Sequence, residues 1–192
     1  MALRIGIYGG SFDPVHYAHL LVAQAAMEEL SLDRLIFVPA AQSPFKPDAK
    51  PAPAKERLRL LRLALAGHPE YELDEAEIQR GGVSYTIDTV RELRERNPGA
   101  ELFYLVGADH AATLPKWKAA DELAKLIQFV AVPRPGLPPV EWPAPFRGVA
   151  LKGFPLGVSS SEIRARVRAG LRIDLLVPEA VAEAIANNRL YL

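Results

Sequence analysis

The sequence predicts an α/β fold: a parallel sheet with helices on both faces. Short apolar strands alternate along the chain with helical stretches of ten or more residues. Each unusual cluster of residues falls directly after a strand or at the start of a late helix, and open parallel sheets bind their ligands beyond the carboxyl ends of the strands.

The elements follow in order. Arg4-Ile5-Gly6-Ile7-Tyr8 reads as a short buried strand, Gly9-Gly10-Ser11 as a turn, and His16 to Leu30 as a helix whose apolar residues recur at helical spacing. Leu35 to Val38 is a second strand ending at Pro39. The proline-rich stretch from Ala40 to Pro53 is a loop long enough to be functional. Ala54 to Ala66 has an amphipathic helical pattern, Tyr71 to Ile78 alternates as a strand, and Thr86 to Arg96 is a helix closed by Asn97-Pro98-Gly99. Leu102 to Val106 is a buried strand stopped by Gly107, Trp117 to Leu126 is helical, and Ile127 to Val132 is a strand. A second proline-rich loop, Pro133 to Pro145, leads to a last strand at Val149 to Leu151. Two helices finish the chain, from about Ser160 to Arg168 and from about Pro178 to Asn187, with Pro178 at the first helical position. The whole reads as one Rossmann-like domain, residues 1–192, with the Ser-rich motif on the C-terminal helices.

Composition narrows the function. Lys plus Arg and Asp plus Glu are 23 each, so no general field draws in nucleic acid or an anionic membrane, and affinity for phosphate has to be local. The chain has no cysteine, which removes disulfides, thiolate zinc sites and cysteine nucleophiles together. The apolar run near Met1 is too short for a signal segment or a membrane span, so a cytoplasmic location is expected.

The most informative stretch runs from Gly9 through Gly10, Ser11 and Phe12 to His19. Its glycines let backbone N–H groups approach an anion, and the helix that follows points the positive end of its dipole at the same place. His16 and His19 are three apart, so both rings project from one face of the first helical turn and reach that anion. Packing alone would explain a lone histidine; two beside a glycine turn favour function. A zinc pair is the competing reading, with only His68 and His110 left to add imidazole ligands. Far along the chain, Val158-Ser159-Ser160-Ser161-Glu162-Ile163-Arg164 shows a serine cap, a carboxylate in the first turn and an arginine one turn further on. It reads either as a well-capped surface helix or as a second anion site.

The first stretch resembles the signature of the nucleotidyltransferase superfamily with the H-x-G-H motif, with Ala18 in place of the motif glycine. The second resembles the I-S-S-T-x-I-R motif of the same superfamily, with Val158 for Ile and Ser161 for Thr. Lys46 sits in a Pro-Phe-Lys-Pro context. Gly81 to Thr89 enters a helix with free N–H groups suited to a carboxylate. Gly107-Ala108-Asp109 ends a strand with an acid able to accept ribose hydroxyls, and Trp117 lies between Lys116 and Lys118. In this order they resemble bacterial nicotinate-nucleotide adenylyltransferase from Ile5 to Tyr191.

The resemblance implies adenylyl transfer from ATP to nicotinate mononucleotide. His16, His19, Lys46 and Arg164 would be catalytic; Gly9, Gly10, Ser11, Phe12, Gly107, Asp109, Arg134, Ser159 and Ser160 would face ATP. Tyr85, Thr86 and Trp117 would form the nicotinate pocket, Mg²⁺ would accompany ATP without a protein metal site, and a homo-oligomer is compatible. Asp88 and Trp142 are assigned to structure. A related adenylyltransferase acting on nicotinamide mononucleotide or phosphopantetheine, and a non-catalytic nucleotide sensor, are the alternatives.

Overall fold

A computed structural model describes residues 2–45, 50–133, 136, 139–154 and 156–192. Six parallel strands form one sheet: β1 (Arg4–Gly10), β2 (Arg34–Pro39), β3 (Tyr71–Leu73), β4 (Glu101–Gly107), β5 (Gln128–Val132) and β6 (Gly148–Ala150). Their order is β3-β2-β1-β4-β5-β6. The order reverses direction between β1 and β4, so the crevice for a ligand opens at the carboxyl ends of those two strands. Helices are α1 (Tyr17–Glu29), α2 (Ala54–Leu65), α3 (Ala76–Arg80), α4 (Thr86–Arg96), α5 (Ala120–Leu126), α6 (Ser160–Arg168) and α7 (Glu179–Asn187).

Both faces of the sheet are covered, as its largely apolar central strands require. Leu35, Phe37, Phe103 and Leu105 point to one side and pack with Ala23, Ala26, Leu60, Leu61, Ile163, Val181 and Ile185, drawn from α1, α2, α6 and α7. Ile5, Ile7, Ile36, Val38, Leu102 and Val106 point to the other and pack with Ile87, Val90, Leu93 and Leu123 of α4 and α5. Alanines on the buried side of α1 let that helix lie close to the sheet. Gly6, in mid-strand, has no room for a side chain: a Cβ there would stand 2.7 Å from Leu32 Cδ1.

Four expectations need correction. The strand expected at Tyr71 to Ile78 ends after three residues, because Asp74 Oδ1 accepts the Ala76 N–H at 2.8 Å and turns the chain into α3. Glu77 of α3 is then buried, accepting a short hydrogen bond from Thr89 Oγ1, and burial raises its pKa. The helix expected from Trp117 begins only at Ala120. Residues Ala108–Lys116 form a 3₁₀ helix containing Pro115, Trp117 is extended, and Ala119 is left-handed at φ 54°. Finally, Gly9 and Gly10 close β1 rather than making a turn. Pro178 precedes α7 by one residue instead of opening it.

Candidate active site

His16 stands at the N-cap of α1 in extended conformation, and Tyr17 opens the helix. The His16 and His19 rings stack with centroids 3.8 Å apart. The His16 main-chain N–H donates to His19 Nδ1 at 3.2 Å. Burial pushes His16 down to about 4 and holds His19 well below 6.5, with the neighbouring His16 charge a second cause. Both rings are therefore neutral at pH 7. With Nδ1 of His19 used as an acceptor, its proton sits on Nε2, which becomes a donor. His16 Nδ1 is buried without a hydrogen-bond partner among the described residues.

Side chains crowd the two glycines before this helix. A Cβ on Gly9 would lie 2.5 Å from the Tyr104 hydroxyl, and one on Gly10 3.0 Å from the Phe12 ring. Phe12 holds φ 47°, a strained value for a non-glycine residue, and its ring is buried against Tyr8, Phe37 and His19. Any contact between Phe12 and a nucleotide therefore comes through its main chain.

The distant serine motif folds back onto this segment. Ser159 caps α6, its Oγ accepting the Glu162 N–H at 3.2 Å. Ser160 Oγ donates to the Pro14 carbonyl at 2.9 Å, and Arg164 Nη1 donates to the Asp13 carbonyl at 2.7 Å. The motif arginine and serine are thus docked on Asp13 and Pro14, three and two residues ahead of His16. Arg57 of α2 reinforces the same region. Although charged it is 2% exposed, and it donates to the carbonyls of Ser11, Ala40 and Ala52 at 2.8, 2.9 and 3.1 Å.

A second group of residues gathers beyond β4 and around α4. Gly107 ends β4, and exposed Asp109 follows it in the 3₁₀ helix. Thr86 Oγ1 donates to the Tyr104 hydroxyl at 3.2 Å, and burial pushes Tyr104 up to about 12. Half-buried Trp117 donates from Nε1 to Thr113 Oγ1 at 3.2 Å and lies edge-on to Tyr104 and Phe129, with Phe45 5.4 Å away. Tyr85 is exposed under the Lys118 ammonium, 4.5 Å from the ring centre. The turn before α4 takes its shape from Gly81 and Gly82, at φ 69° and 66°. It pairs with the loop after β2: the Ser84 N–H donates to the Gln42 carbonyl and the Ala41 N–H donates to Ser84 Oγ, both at 2.9 Å. Asp88 binds Lys118 at 2.9 Å and Trp142 packs on Phe129.

Lys46 and Arg134 lie outside the described residues. Asp13, Arg57, Tyr104 and Glu77 were not singled out by sequence reasoning. Asp13 sat inside the motif, but its partners are far along the chain and left no local signal.

The cytidylyltransferase-like family matches residues 7–166, a span that begins in β1 and ends just past Arg164. Fold and site together define a nucleotidyltransferase. Curated relatives described as "Probable nicotinate-nucleotide adenylyltransferase" include one from Herpetosiphon aurantiacus, 41% identical over 98% of both chains. Another, from Thermus thermophilus, is 43% identical over 98% of this chain and all of its own. The solved Plasmodium falciparum nicotinic acid mononucleotide adenylyltransferase complexed with NaAD shares the fold at a TM-score of 0.81 and 20% identity, covering 98% of this chain and 97% of its own. The chain belongs to the nicotinate-nucleotide adenylyltransferase family. No helix among the described residues is long and apolar enough to cross a membrane.

Proposed function

We propose that this enzyme transfers the adenylyl group of ATP to the 5′-phosphate of nicotinate mononucleotide, giving nicotinate adenine dinucleotide and pyrophosphate in NAD biosynthesis. Family membership over the full chain supports the reaction. One observation carries its placement: Arg164 is docked on Asp13, directly ahead of the stacked His16 and His19, at the switch point of the sheet.

The attacking phosphate, with a second pKa of about 6, is largely ionised at neutral pH, so no general base is needed. Negative charge grows on the bridging and leaving oxygens as the α-phosphorus is attacked. His19 Nε2–H, His16, Arg164 and the positive end of the α1 dipole meet it, with Lys46 added on its sequence context. Neutral imidazole donors suit this task, because they bind charge as it develops without holding the ground state too tightly. Gly9, Gly10, Ser11 and Phe12 offer main-chain groups to ATP, with Ser159 and Ser160 on the opposite side. Gly107, Asp109 and Arg134 take the adenosine half.

Mg²⁺ would accompany ATP as MgATP and would neutralise phosphate charge. Among the described residues no three His, Asp or Glu side chains converge on a metal position, and phosphate oxygens would supply most of its ligands. The nicotinate ring stacks on Trp117, and its carboxylate meets the N–H groups at Tyr85 and Thr86, where α4 begins.

Turnover with MgATP on nicotinate mononucleotide, nicotinamide mononucleotide and phosphopantetheine tests the reading. The nicotinate substrate is expected to have a kcat/KM about tenfold or more above the others, since a carboxylate gains charge-assisted hydrogen bonds an amide lacks. Equal or faster turnover of the amide would overturn the assignment of this pocket.

A further inference from the structure

Asp13 joins four separate parts of the chain. Its Oδ1 accepts the Ala52 N–H at 3.1 Å and the Tyr191 hydroxyl at 2.9 Å. Its Oδ2 lies 3.7 Å from Arg164 Nη1, the same nitrogen that donates to the Asp13 carbonyl at 2.7 Å. The residue is 6% exposed, so these partners, and not water, satisfy the carboxylate. Ala52 ends the loop that carries Lys46, and Arg164 belongs to the proposed phosphate donors.

Tyr191 lies just past α7, 178 residues further along the sequence. The tail reaches Asp13 only by taking an unfavourable backbone: Arg189 and Tyr191 have φ of 51° and 68°, left-handed values that L-residues avoid. Strain of this kind persists only where contacts over-determine it. Leu190 and Tyr191 pack on the α1–α2–α7 side of the core, while Leu192 is exposed.

We propose that Asp13 and Tyr191 are a positioning pair: the Tyr191 hydroxyl fixes the Asp13 carboxylate, and Asp13 in turn sets the Arg164 guanidinium beside the His16–His19 helix start. Neither residue touches substrate; both act through Arg164. The inference rests on the adenylyl-transfer reading.

Three variants of the full chain test it: Tyr191→Phe, Arg164→Lys and the double variant, assayed well below the melting temperature. Tyr191→Phe keeps the packed ring and loses one hydrogen bond to a charged group, so kcat is expected to fall about tenfold, with KM for nicotinate mononucleotide within about twofold of wild type. In the Arg164→Lys background the same change is expected to cost less than about twofold, because the group it positions is already altered. A tail that merely braces the fold would give equal losses in both backgrounds, and that result overturns the pair. If Tyr191→Phe does not fold, Asp13→Asn, which keeps an oxygen for Tyr191 but drops the charge facing Arg164, is expected to show the same dependence on Arg164; independence overturns the pair. Wild-type kcat in Tyr191→Phe refutes the pair alone, whereas a wild-type enzyme without turnover removes the reaction and the pair together.

Discussion

His19 accepts, through Nδ1, the main-chain N–H of His16 at 3.2 Å, and the two rings stack at 3.8 Å. One contact thus caps the helix and fixes which nitrogen of His19 carries the proton. It also explains why the spacing must be three: N-cap and N3 are the pair of positions that close this bond.

His16→Ala or His19→Ala is expected to lower kcat about 100-fold or more with a smaller change in KM for ATP, the usual cost of deleting one donor aimed at developing charge. Steady-state kinetics with MgATP check this. Wild-type turnover in both variants would remove the histidines from the mechanism.

Acid should destabilise the fold through the same residues. The unfolded chain takes up a proton on His16 near pH 6.5, whereas the folded protein holds it off down to about 4. Stability is therefore full above pH 6.5 and is lost as pH falls through that window. At about 1.4 kcal/mol per pH unit, His16 alone accounts for roughly 2 kcal/mol between pH 7 and 5. Urea unfolding across that range is expected to show a flatter pH slope for His16→Gln than for wild type; equal slopes contradict the burial argument.

Trp117→Ala is expected to raise KM for nicotinate mononucleotide about tenfold and to leave KM for ATP little changed, while Trp117→Phe restores most of the loss. Because Trp117 also packs on Tyr104 and Phe129, melting temperatures are measured alongside. An unchanged KM in the alanine variant contradicts stacking.

Arg57→Met retains the apolar stem but strips donors from three carbonyls, at Ser11, Ala40 and Ala52. A loss of about 3 kcal/mol in urea unfolding is expected. A loss under about 0.5 kcal/mol would show that the loops after β1 and β2 do not depend on it.

Periodicity made the sheet legible, because buried parallel strands are continuous apolar runs, and the two motifs were legible because helix starts carry local capping chemistry. The helix Thr86–Arg96 matched residue for residue. Where the reading erred, the deciding contact was local but ambiguous or else distant. Asp74 looked like one polar position in an alternating strand, yet its carboxylate stops that strand. Trp117 scored as helical by pattern and is held out of the helix by Thr113 and its aromatic neighbours. Arg57 and Asp13 carried no local signal, since their partners lie tens to well over a hundred residues away in the chain.

The most direct test follows the α-phosphate of ATP. With α-labelled MgATP and nicotinate mononucleotide, the label is expected in nicotinate adenine dinucleotide, with unlabelled pyrophosphate released in equal amount. Label recovered as AMP or ADP, or ATP bound and left intact, would contradict adenylyl transfer by this protein.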